Sequence, residues 1–433
     1  MLLVYSHKIT NRLTYILDFV IVQNLGLDYR LTTLRDEFMN FEGARLNYSY
    51  EPIPNTVHIK PALLLSQEDI VPQLIEVKEH LGKVIFFCTD QGELPFDIFA
   101  ASFYLISRYE EYLVSKLDRF GRYDPRNSIA WKKSFLFEPI VNIWIGWLST
   151  ILQQSFSELP IKEPVYKFMP TIDVDNAYAY SNKGIIRQIG GLGQSLVRAD
   201  FTDFTRRLKV FSGRIADPFD TYEALYQIHY RYNLSPVYFF LLANYGGLDK
   251  AVPIHNKKFQ ELILLHSQKH KVGIHPSFSS FFDFTVLENE IATLAELLSQ
   301  DVTNSRFHFV KFALPNNYEN LIKLNVTDDY SMGYPSRIGF RCGYAGEYQF
   351  FNLQTNRATS LVIHPFQVMD AALNSYMKLS PDDAVFQTRQ IIDKIKEVGG
   401  TFSLLWHNES LCNYGAWQGW APVYEQIVRY AVE

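Results

Sequence analysis

The sequence predicts an α/β protein in which a small α/β domain and a helical bridge precede a seven-stranded (β/α) barrel. Its 433 residues are 47% hydrophobic and 20% charged, which is an ordinary globular composition. Short apolar runs alternate with helical patterns from the first residues onward, and seven further apolar runs, each followed by a helical stretch, come after residue 165. Alternation of this kind is typical of parallel sheets covered by helices.

The first unit, residues 1–92, is predicted from four β-branched runs and one helical pattern between them. We expect a helix over residues 11–24 and strands at 2–5, 29–33, 57–59 and 84–88. No glycine pattern that would cradle a phosphate lies between these strands. The unit is therefore predicted to be a small layered α/β domain.

The second unit, residues 93–160, is predicted to be a helical bridge. Phe99, Phe103 and Ile106 are three or four residues apart, as on one face of a helix. The charged segment 108–111 in this bridge is interpreted as a solvated helix surface. A polar, proline-containing stretch at 157–164 is typical of a domain boundary.

The third unit, residues 165–433, carries the seven apolar runs that predict the barrel. Its predicted strands are 168–174, 237–242, 272–274, 307–312, 339–342, 361–363 and 402–406.

Composition excludes several classes of protein. The formal net charge is −5 and no basic cluster stands out, so no nucleic-acid partner is expected. Three widely spaced cysteines support neither a disulfide framework nor a four-sulfur zinc site. The longest apolar stretches are shorter than the roughly 20 residues of a membrane-spanning helix, and the first residues lack the features of a secretory signal. A cytoplasmic protein without a membrane span is predicted.

Two carboxylates end the first barrel strand. Side chains alternate along a strand, so Asp173 and Asp175 should lie on the same face. Two carboxylates in one place repel unless a cation, an arginine or a proton lies between them, which indicates a metal site or an acid/base role. The alternative is a capping motif, because aspartate also begins helices.

Histidines follow three other barrel strands, where the active sites of such barrels lie. They are His275, His364 and His407. Imidazole titrates near neutral pH and serves as a general acid or, when neutral, as a metal ligand. Arg306 and His308 lie on the predicted fourth strand and either enter the same site or form a buried structural pair.

Arg341 lies within the predicted apolar strand 339–342. A buried guanidinium needs a carboxylate partner, and Asp173 is the expected one. Serine-nucleophile and phosphate-loop motifs do not occur in the chain. The glycine-rich segment 190–193 is interpreted as a flexible connection.

In the order and strand-end placement of these motifs, residues 165–433 resemble the polysaccharide deacetylase superfamily, the NodB-homology or carbohydrate esterase family 4 group. The amino-terminal part resembles the α/β domain that precedes such modules in some bacterial proteins. The resemblance implies a distorted seven-stranded (β/α) barrel. It also implies that Asp173 is the general base, that Asp175 and His275 are metal ligands, that Arg341 orients the base, and that His407, in the L-x-H motif, is the general acid.

The chain departs from the family at the second histidine of the H-x3-H motif, where it has Ser279. A zinc site would then keep Asp175 and His275 as its ligands. His308 or His364 could supply a replacement ligand from another strand, or water and Ser279 could complete a weaker site.

The resemblance implies a hydrolase that uses a divalent metal, zinc being the expected ion, to remove N- or O-acetyl groups from a glycan or glycoconjugate. Tyr344 and Trp406 could then form a wall on which a sugar stacks. The missing histidine leaves a second interpretation, a catalytically degenerate barrel that binds glycans or acts as a scaffold. A third is hydrolysis of an acetylated small molecule or another amide.

Overall fold

The computed structural model describes residues 1–113 and 116–433, so two residues of the predicted bridge lie outside the described part of the chain. The chain begins with a parallel four-stranded sheet in which β1 lies between β2 and β3, and β4 pairs with β3. All five residues of β1 are buried. The strands are β1 (Leu2–Ser6), β2 (Tyr29–Thr32), β3 (Ala44–Tyr48) and β4 (Val57–His58).

The predicted helix over residues 11–24 is confirmed as α1 (Asn11–Leu17), which continues as a π-helix, Asp18–Asn24. Thr10 caps α1, because its hydroxyl accepts from the Leu13 amide at 3.1 Å. A short helix, α2 (Arg35–Met39), precedes β3, the one strand of this sheet that was not predicted.

The segment after this sheet is a hairpin followed by helices, and the helical character predicted for it is confirmed. The hairpin pairs β5 (Val77–His80) with β6 (Lys83–Phe86). The helices are α3 (Ile98–Ile106), α4 (Ile129–Lys132) and α5 (Ile140–Ser155), with short 3-10 turns at Leu63–Ser66, Tyr109–Tyr112 and Pro125–Asn127.

The remainder of the chain is built on a nine-stranded sheet, so the fold is mixed α/β as predicted. Its strands are β7 (Lys167–Val174), β8 (Val237–Phe240), β9 (Lys271–Ile274), β10 (Asn304–Ser305), β11 (Asp328–Asp329), β12 (Tyr348–Asn352), β13 (Arg357–Ile363), β14 (Val368–Met369) and β15 (Thr401–His407). Their order is β12-β13-β11-β10-β9-β8-β7-β15-β14, in which β12 is antiparallel to β13 and all other pairs are parallel. The sheet therefore has nine strands where seven were predicted, and among the described residues it does not close into a ring.

Helices connect most of these strands. Residues from both halves of the chain belong to one continuous apolar core. The helices are α6 (Ile185–Val197), α7 (Phe201–Phe211), α8 (Tyr222–Arg231), α9 (Lys257–Ser267), α10 (Phe284–Leu298), α11 (Asn316–Lys323), α12 (Pro381–Glu397) and α13 (Ala421–Val432). In the part of the chain that the structure covers, no helix combines the length and apolarity needed to cross a membrane.

Three local predictions were wrong. Residues 307–312 contain a 3-10 turn, His308–Val310, because the positive φ values of Phe309 (59°) and Val310 (54°) are incompatible with a strand. Residues 339–342 form a loop: the Phe340 amide donates to the Leu136 carbonyl in the amino-terminal half instead of to a neighbouring strand. The glycine-rich segment 190–193 lies inside α6.

The charged segment 108–111 is buried, which also differs from the prediction. Arg108 and Glu111 form an ion pair at 2.8 Å, and Glu111 receives a second guanidinium from Arg341 at 2.7 Å. Both arginines are almost fully buried. This buried charge cluster therefore joins the amino-terminal half of the chain to the loop after β11.

Candidate active site

The parallel strands bring their carboxyl ends to one edge of the large sheet, and the candidate site lies there. Asp173 is the seventh residue of β7 and pairs directly with His407 on β15. Gly273 on β9 lets the neighbouring strands approach closely, because a Cβ at this position would lie 2.6 Å from the Asn304 carbonyl oxygen. His275 follows two residues later.

Three side chains converge at this edge in a way that suits a metal ion. The nearest oxygen of Asp175 is 3.1 Å from Nε2 of His275, and its other oxygen is 3.2 Å from Nε2 of His308. One ligand atom of each of the three residues lies within 4.8 Å of the other two. Asp175 and His275 were predicted as ligands, and His308 is one of the replacements considered for the missing histidine.

The outer nitrogens of both imidazoles are fixed by acceptors. His275 donates from Nδ1 to the Arg306 carbonyl, and His308 donates from Nδ1 to Asp249 at 2.9 Å. Each Nε2 is thereby aimed at Asp175, and in the neutral imidazole it carries a lone pair. Metal-ligating histidines characteristically have such a partner on the other ring nitrogen.

The electrostatics of this cluster favour positive charge beside Asp175. Burial alone would raise the pKa of Asp175, but the neighbouring imidazoles His308, His407 and His275 hold that pKa well below its usual range. Burial lowers the pKa of His308, yet Asp175 and Asp249 outweigh it and raise that pKa to about 9. One buried Asp175 oxygen has no hydrogen-bond partner. One carboxylate oxygen of Asp175 and the two imidazole Nε2 atoms form a set of three donors that fits a divalent metal such as zinc.

The arginine that holds Asp173 is Arg306. Its Nη1 donates to Asp173 at 2.9 Å and to Thr171 at 2.7 Å, and its Nε donates to the Tyr330 carbonyl at 3.0 Å. The guanidinium is fully buried. Arg306 and His308 were expected either to enter the site or to form a buried structural pair. Both residues lie in the site.

The predicted pairing of Arg341 with Asp173 is wrong. Arg341 binds Glu111 through Nε at 2.9 Å and Nη2 at 2.7 Å, and its Nη1 donates to the Gly333 carbonyl. The physical reason is the loop conformation of residues 339–342, which directs this side chain toward the 3-10 turn Tyr109–Tyr112 and not into the sheet.

His407 completes the group of side chains around Asp175. Its Nε2 is 3.7 Å from Asp175, and its Nδ1 donates to Asp370 at 2.7 Å. Burial would lower the pKa of His407, but Asp370 and Asp175 raise it well above the usual imidazole range. Burial and the nearby Asp175 and Asp370 charges raise the pKa of Glu409 to about 7, although His407 opposes them. These neighbouring charges favour the protonated form of His407, and Asp370 fixes the orientation of its ring.

Ser279, which stands where the family has a histidine, supports the site from outside. Its hydroxyl donates to Asp249 at 3.1 Å, and Asp249 in turn holds His308. Ser279 and His308 are thus connected through the carboxylate of Asp249.

Three auxiliary predictions are not brought to the site. His364 pairs with Asp328 at 2.7 Å and stacks on Tyr330. The hydroxyl of Tyr344 donates to Asn24 at 2.8 Å. Trp406 is fully buried against α13, so the predicted sugar-stacking wall of Tyr344 and Trp406 is wrong: both rings are core residues that do not line the cavity.

A cavity of about 130 Å³ opens over the cluster. Its polar floor consists of Asp173, Asp175 and the three histidines, and its walls are mostly apolar: Phe307, Phe309, Val310, Pro335, Met369, Ala371, Tyr376 and Leu405. The amino-terminal half contributes Arg122, which donates to the Phe309 carbonyl at 2.8 Å and to the Tyr376 hydroxyl at 3.1 Å.

Sequence reasoning missed Arg122, Asp249, Asp370 and Tyr376. Arg122 and Asp249 lie in loops, Asp370 begins a short helical segment and Tyr376 ends it, and none of the four belongs to a short motif. The sequence could have predicted that each strand-end histidine has an acceptor such as a carboxylate, because buried imidazoles need a partner for Nδ1. It could not have predicted where in the chain that partner lies.

Comparison with known proteins gives the following similarities. Residues 2–157 match the profile of a family of unknown function, DUF7033. No curated protein matches the sequence. Several solved structures are similar to this chain, among them the following three. A protein assigned as a polysaccharide deacetylase from Mycobacterium smegmatis has 12% identity and a TM-score of 0.42, over 63% of this chain and 85% of that chain. An allantoinase has 11% identity and a TM-score of 0.41, over 62% and 84%. A second protein assigned as a polysaccharide deacetylase, from Pseudomonas aeruginosa PAO1, has 11% identity and a TM-score of 0.39, over 62% and 85%.

Proposed function

We propose that this chain is a metal-dependent hydrolase of the polysaccharide deacetylase type, which removes N- or O-acetyl groups from a glycan or glycoconjugate in the cytoplasm. The observation that carries the proposal is the convergence of Asp175, His275 and His308, with Asp173 and His407 beside them, at the floor of one cavity. The same residues supply the D-x-D and L-x-H motifs in the order that resembles this superfamily.

The proposal treats residues 165–433 as the catalytic unit, residues 1–92 as a small α/β domain and residues 93–160 as a helical bridge. Strands β7, β8, β9, β10, β11, β13 and β15 would be the seven strands of a distorted (β/α) barrel. The family profile that spans residues 2–157 supports a separate amino-terminal unit.

Asp175, His275 and His308 would hold the divalent metal, and their mixed oxygen and nitrogen donors suit zinc. Bound there, such an ion would polarise a carbonyl oxygen and lower the pKa of water. Because metal ligands must be deprotonated, binding would displace the proton that the raised pKa of His308 retains. Metal affinity should therefore increase with pH.

Asp173 is the proposed general base. Arg306 holds its carboxylate by a charge-assisted hydrogen bond at 2.9 Å, which would fix the orientation in which Asp173 accepts a proton from water. The other Asp173 oxygen lies 3.8 Å from Nε2 of His275, so this carboxylate lies beside the proposed ligands.

His407 is the proposed general acid. It carries a proton at neutral pH, and Asp370 directs the protonated Nε2 toward the cavity. A leaving amine or alcohol would accept that proton as the bond to the acetyl carbon breaks. General acid/base transfer of this kind contributes about 10² to 10⁴-fold in rate.

The experiment is acetate release from acetylated chitooligosaccharides and from small acetylated amides by the zinc-loaded chain. We expect Asp173→Asn and His407→Ala each to reduce turnover at least about tenfold. Asp328→Asn is the matched control, because Asp328 also pairs with a strand-end histidine but lies outside the cavity. Circular dichroism of all three variants checks that the fold is retained, because Asp173→Asn leaves the buried Arg306 without its carboxylate partner.

Activity that survives in both site variants would contradict these roles. If the wild-type chain binds acetylated sugars without releasing acetate in the presence of zinc, it is the degenerate binding module instead. If acetate is released only from small amides, the chain is a hydrolase whose substrate is not a glycan.

A further inference from the structure

Helix α6 presents an apolar stripe that no described residue covers. The exposed fractions are 74% for Ile185, 87% for Ile186, 64% for Ile189 and 89% for Val197. At 100° per residue these positions, with Leu196, fall on one side of the helix. Contiguous exposed apolar surface of this kind marks an interaction site.

The opposite side of α6 is already occupied by α7. Ser195 is buried and its hydroxyl donates to Asp203 on α7. A Cβ at Gly191 would collide with the guanidinium of Arg207, also on α7. The contact with α7 therefore involves the polar, small-residue side, and the apolar stripe faces away from it. On α7 itself Phe201 is a further exposed ring.

The glycines within α6 weaken this helix and increase its need for a surface that covers its apolar side. Gly190, Gly191 and Gly193 lie inside the helix, and each disfavours it by about 1 kcal/mol relative to alanine. Nothing lies within 4 Å of the places that a Cβ would occupy at Gly190 and Gly193. A helix of this composition gains most of its stability from burial of its apolar side.

The charge of the segment that carries the stripe identifies the chemistry of the partner. Residues 182–216 contain seven basic and two acidic residues, a formal charge of +5 in a chain whose net charge is −5. Arg198, Lys209 and Arg214 are exposed, and Asp203 is already paired with Arg207. A second copy of this surface would bring like charges together, whereas anionic lipid headgroups complement them.

We propose that α6 and α7 form an interfacial anchor, with the apolar stripe of α6 inserted into the headgroup region of an anionic lipid surface. A strongly amphipathic helix flanked by Lys and Arg binds membranes in this way without spanning them. The anchor is joined to the candidate site, because Arg187 on α6 donates to the Ala251 carbonyl at 3.0 Å, two residues after Asp249. The proposal does not depend on the reaction catalysed there.

The test is co-sedimentation of the full chain with vesicles of equimolar phosphatidylcholine and phosphatidylglycerol, compared with phosphatidylcholine alone. We expect binding to the anionic vesicles, weakened about fivefold for each charge removed in Arg198→Gln, Lys209→Gln and Arg214→Gln. Lys133→Gln, an exposed lysine outside these helices, is the charge control.

Ile186→Ser tests the apolar stripe and should weaken vesicle binding about tenfold. Val165→Ser removes another exposed apolar side chain, 67% exposed and outside these helices, and should leave binding unchanged. Circular dichroism of each variant checks that the fold is retained.

Three results would overturn the proposal. The first is no binding to anionic vesicles, and the second is unchanged binding by Ile186→Ser. The third is a concentration-dependent dimer in sedimentation velocity that Ile186→Ser abolishes, because the stripe would then be a contact between two copies of the chain.

Discussion

Asp249 offers a test of the site that does not touch a proposed ligand. One of its carboxylate oxygens accepts from Nδ1 of His308 and from the Phe278 amide, both at 2.9 Å, and the other accepts from the Ser279 hydroxyl at 3.1 Å. If His308 binds metal, Asp249 fixes the ring and increases the basicity of its Nε2. Loss of such a partner typically weakens metal binding by about 10- to 100-fold.

Two substitutions of Asp249 should weaken metal binding to different extents within this 10- to 100-fold range. In Asp249→Asn the amide oxygen can keep both hydrogen bonds of the first carboxylate oxygen, so the charge alone is lost and we expect about a tenfold weaker zinc affinity. Asp249→Ala removes the hydrogen bonds as well and should approach 100-fold, about 2.8 kcal/mol.

The assay is competition for zinc against a chelating dye at fixed pH. Asp328→Asn and Asp328→Ala are the matched controls, because Asp328 pairs with His364 at 2.7 Å outside the cavity, and they should leave zinc affinity unchanged. Equal affinities of the wild-type chain and Asp249→Ala would refute the assignment of His308 as a ligand.

Two further predictions concern stability. Glu111→Gln leaves Arg341 buried without its carboxylate, so the free energy of unfolding in urea should fall by about 3 to 5 kcal/mol, and a change below about 1 kcal/mol would contradict the buried ion pair. Stability should also fall on acidification. Burial lowers the pKa of His229 to about 3 and that of His266 to about 4, against 6.5 in the unfolded chain. The unfolded chain therefore binds protons first, and the stabilisation present above pH 6.5 is lost as the pH falls toward 4, by about 2 kcal/mol per histidine at pH 5. The unfolding free energy measured between pH 7 and 5 should depend less steeply on pH in His229→Gln, and an identical slope would contradict this origin.

The parts of the site predicted from sequence are those fixed by strand periodicity. Asp173, Asp175, His275 and His407 each come at or just after the end of an apolar strand, and parallel strands end at one edge of a sheet. The strand pattern and the parallel topology together therefore determine that these four side chains converge.

The remaining parts depend on contacts between distant segments. The choice between Arg306 and Arg341 as the partner of Asp173 was decided by Glu111, which lies 230 residues before Arg341 and was interpreted as a solvated charge. Strands β10 and β11 have two residues each, too few for a periodic signal, and neither was predicted.

His308 illustrates why a ligand can be proposed from sequence and still be misplaced in secondary structure. Its apolar neighbours predict a strand, but Phe309 and Val310 adopt positive φ, and Arg122 from the amino-terminal half holds the Phe309 carbonyl. The turn that presents His308 to Asp175 thus depends on a residue far away in the chain.

Metal content measures directly whether Asp175, His275 and His308 form a metal site. The purified chain is stripped with a chelator, reloaded with zinc, freed of excess metal and analysed by elemental mass spectrometry. We predict one zinc ion per chain, lost in His275→Ala and in His308→Ala and retained in His364→Ala, whose imidazole lies outside the cluster. A wild-type chain without stoichiometric zinc, or a His308→Ala chain that retains it, would contradict the account.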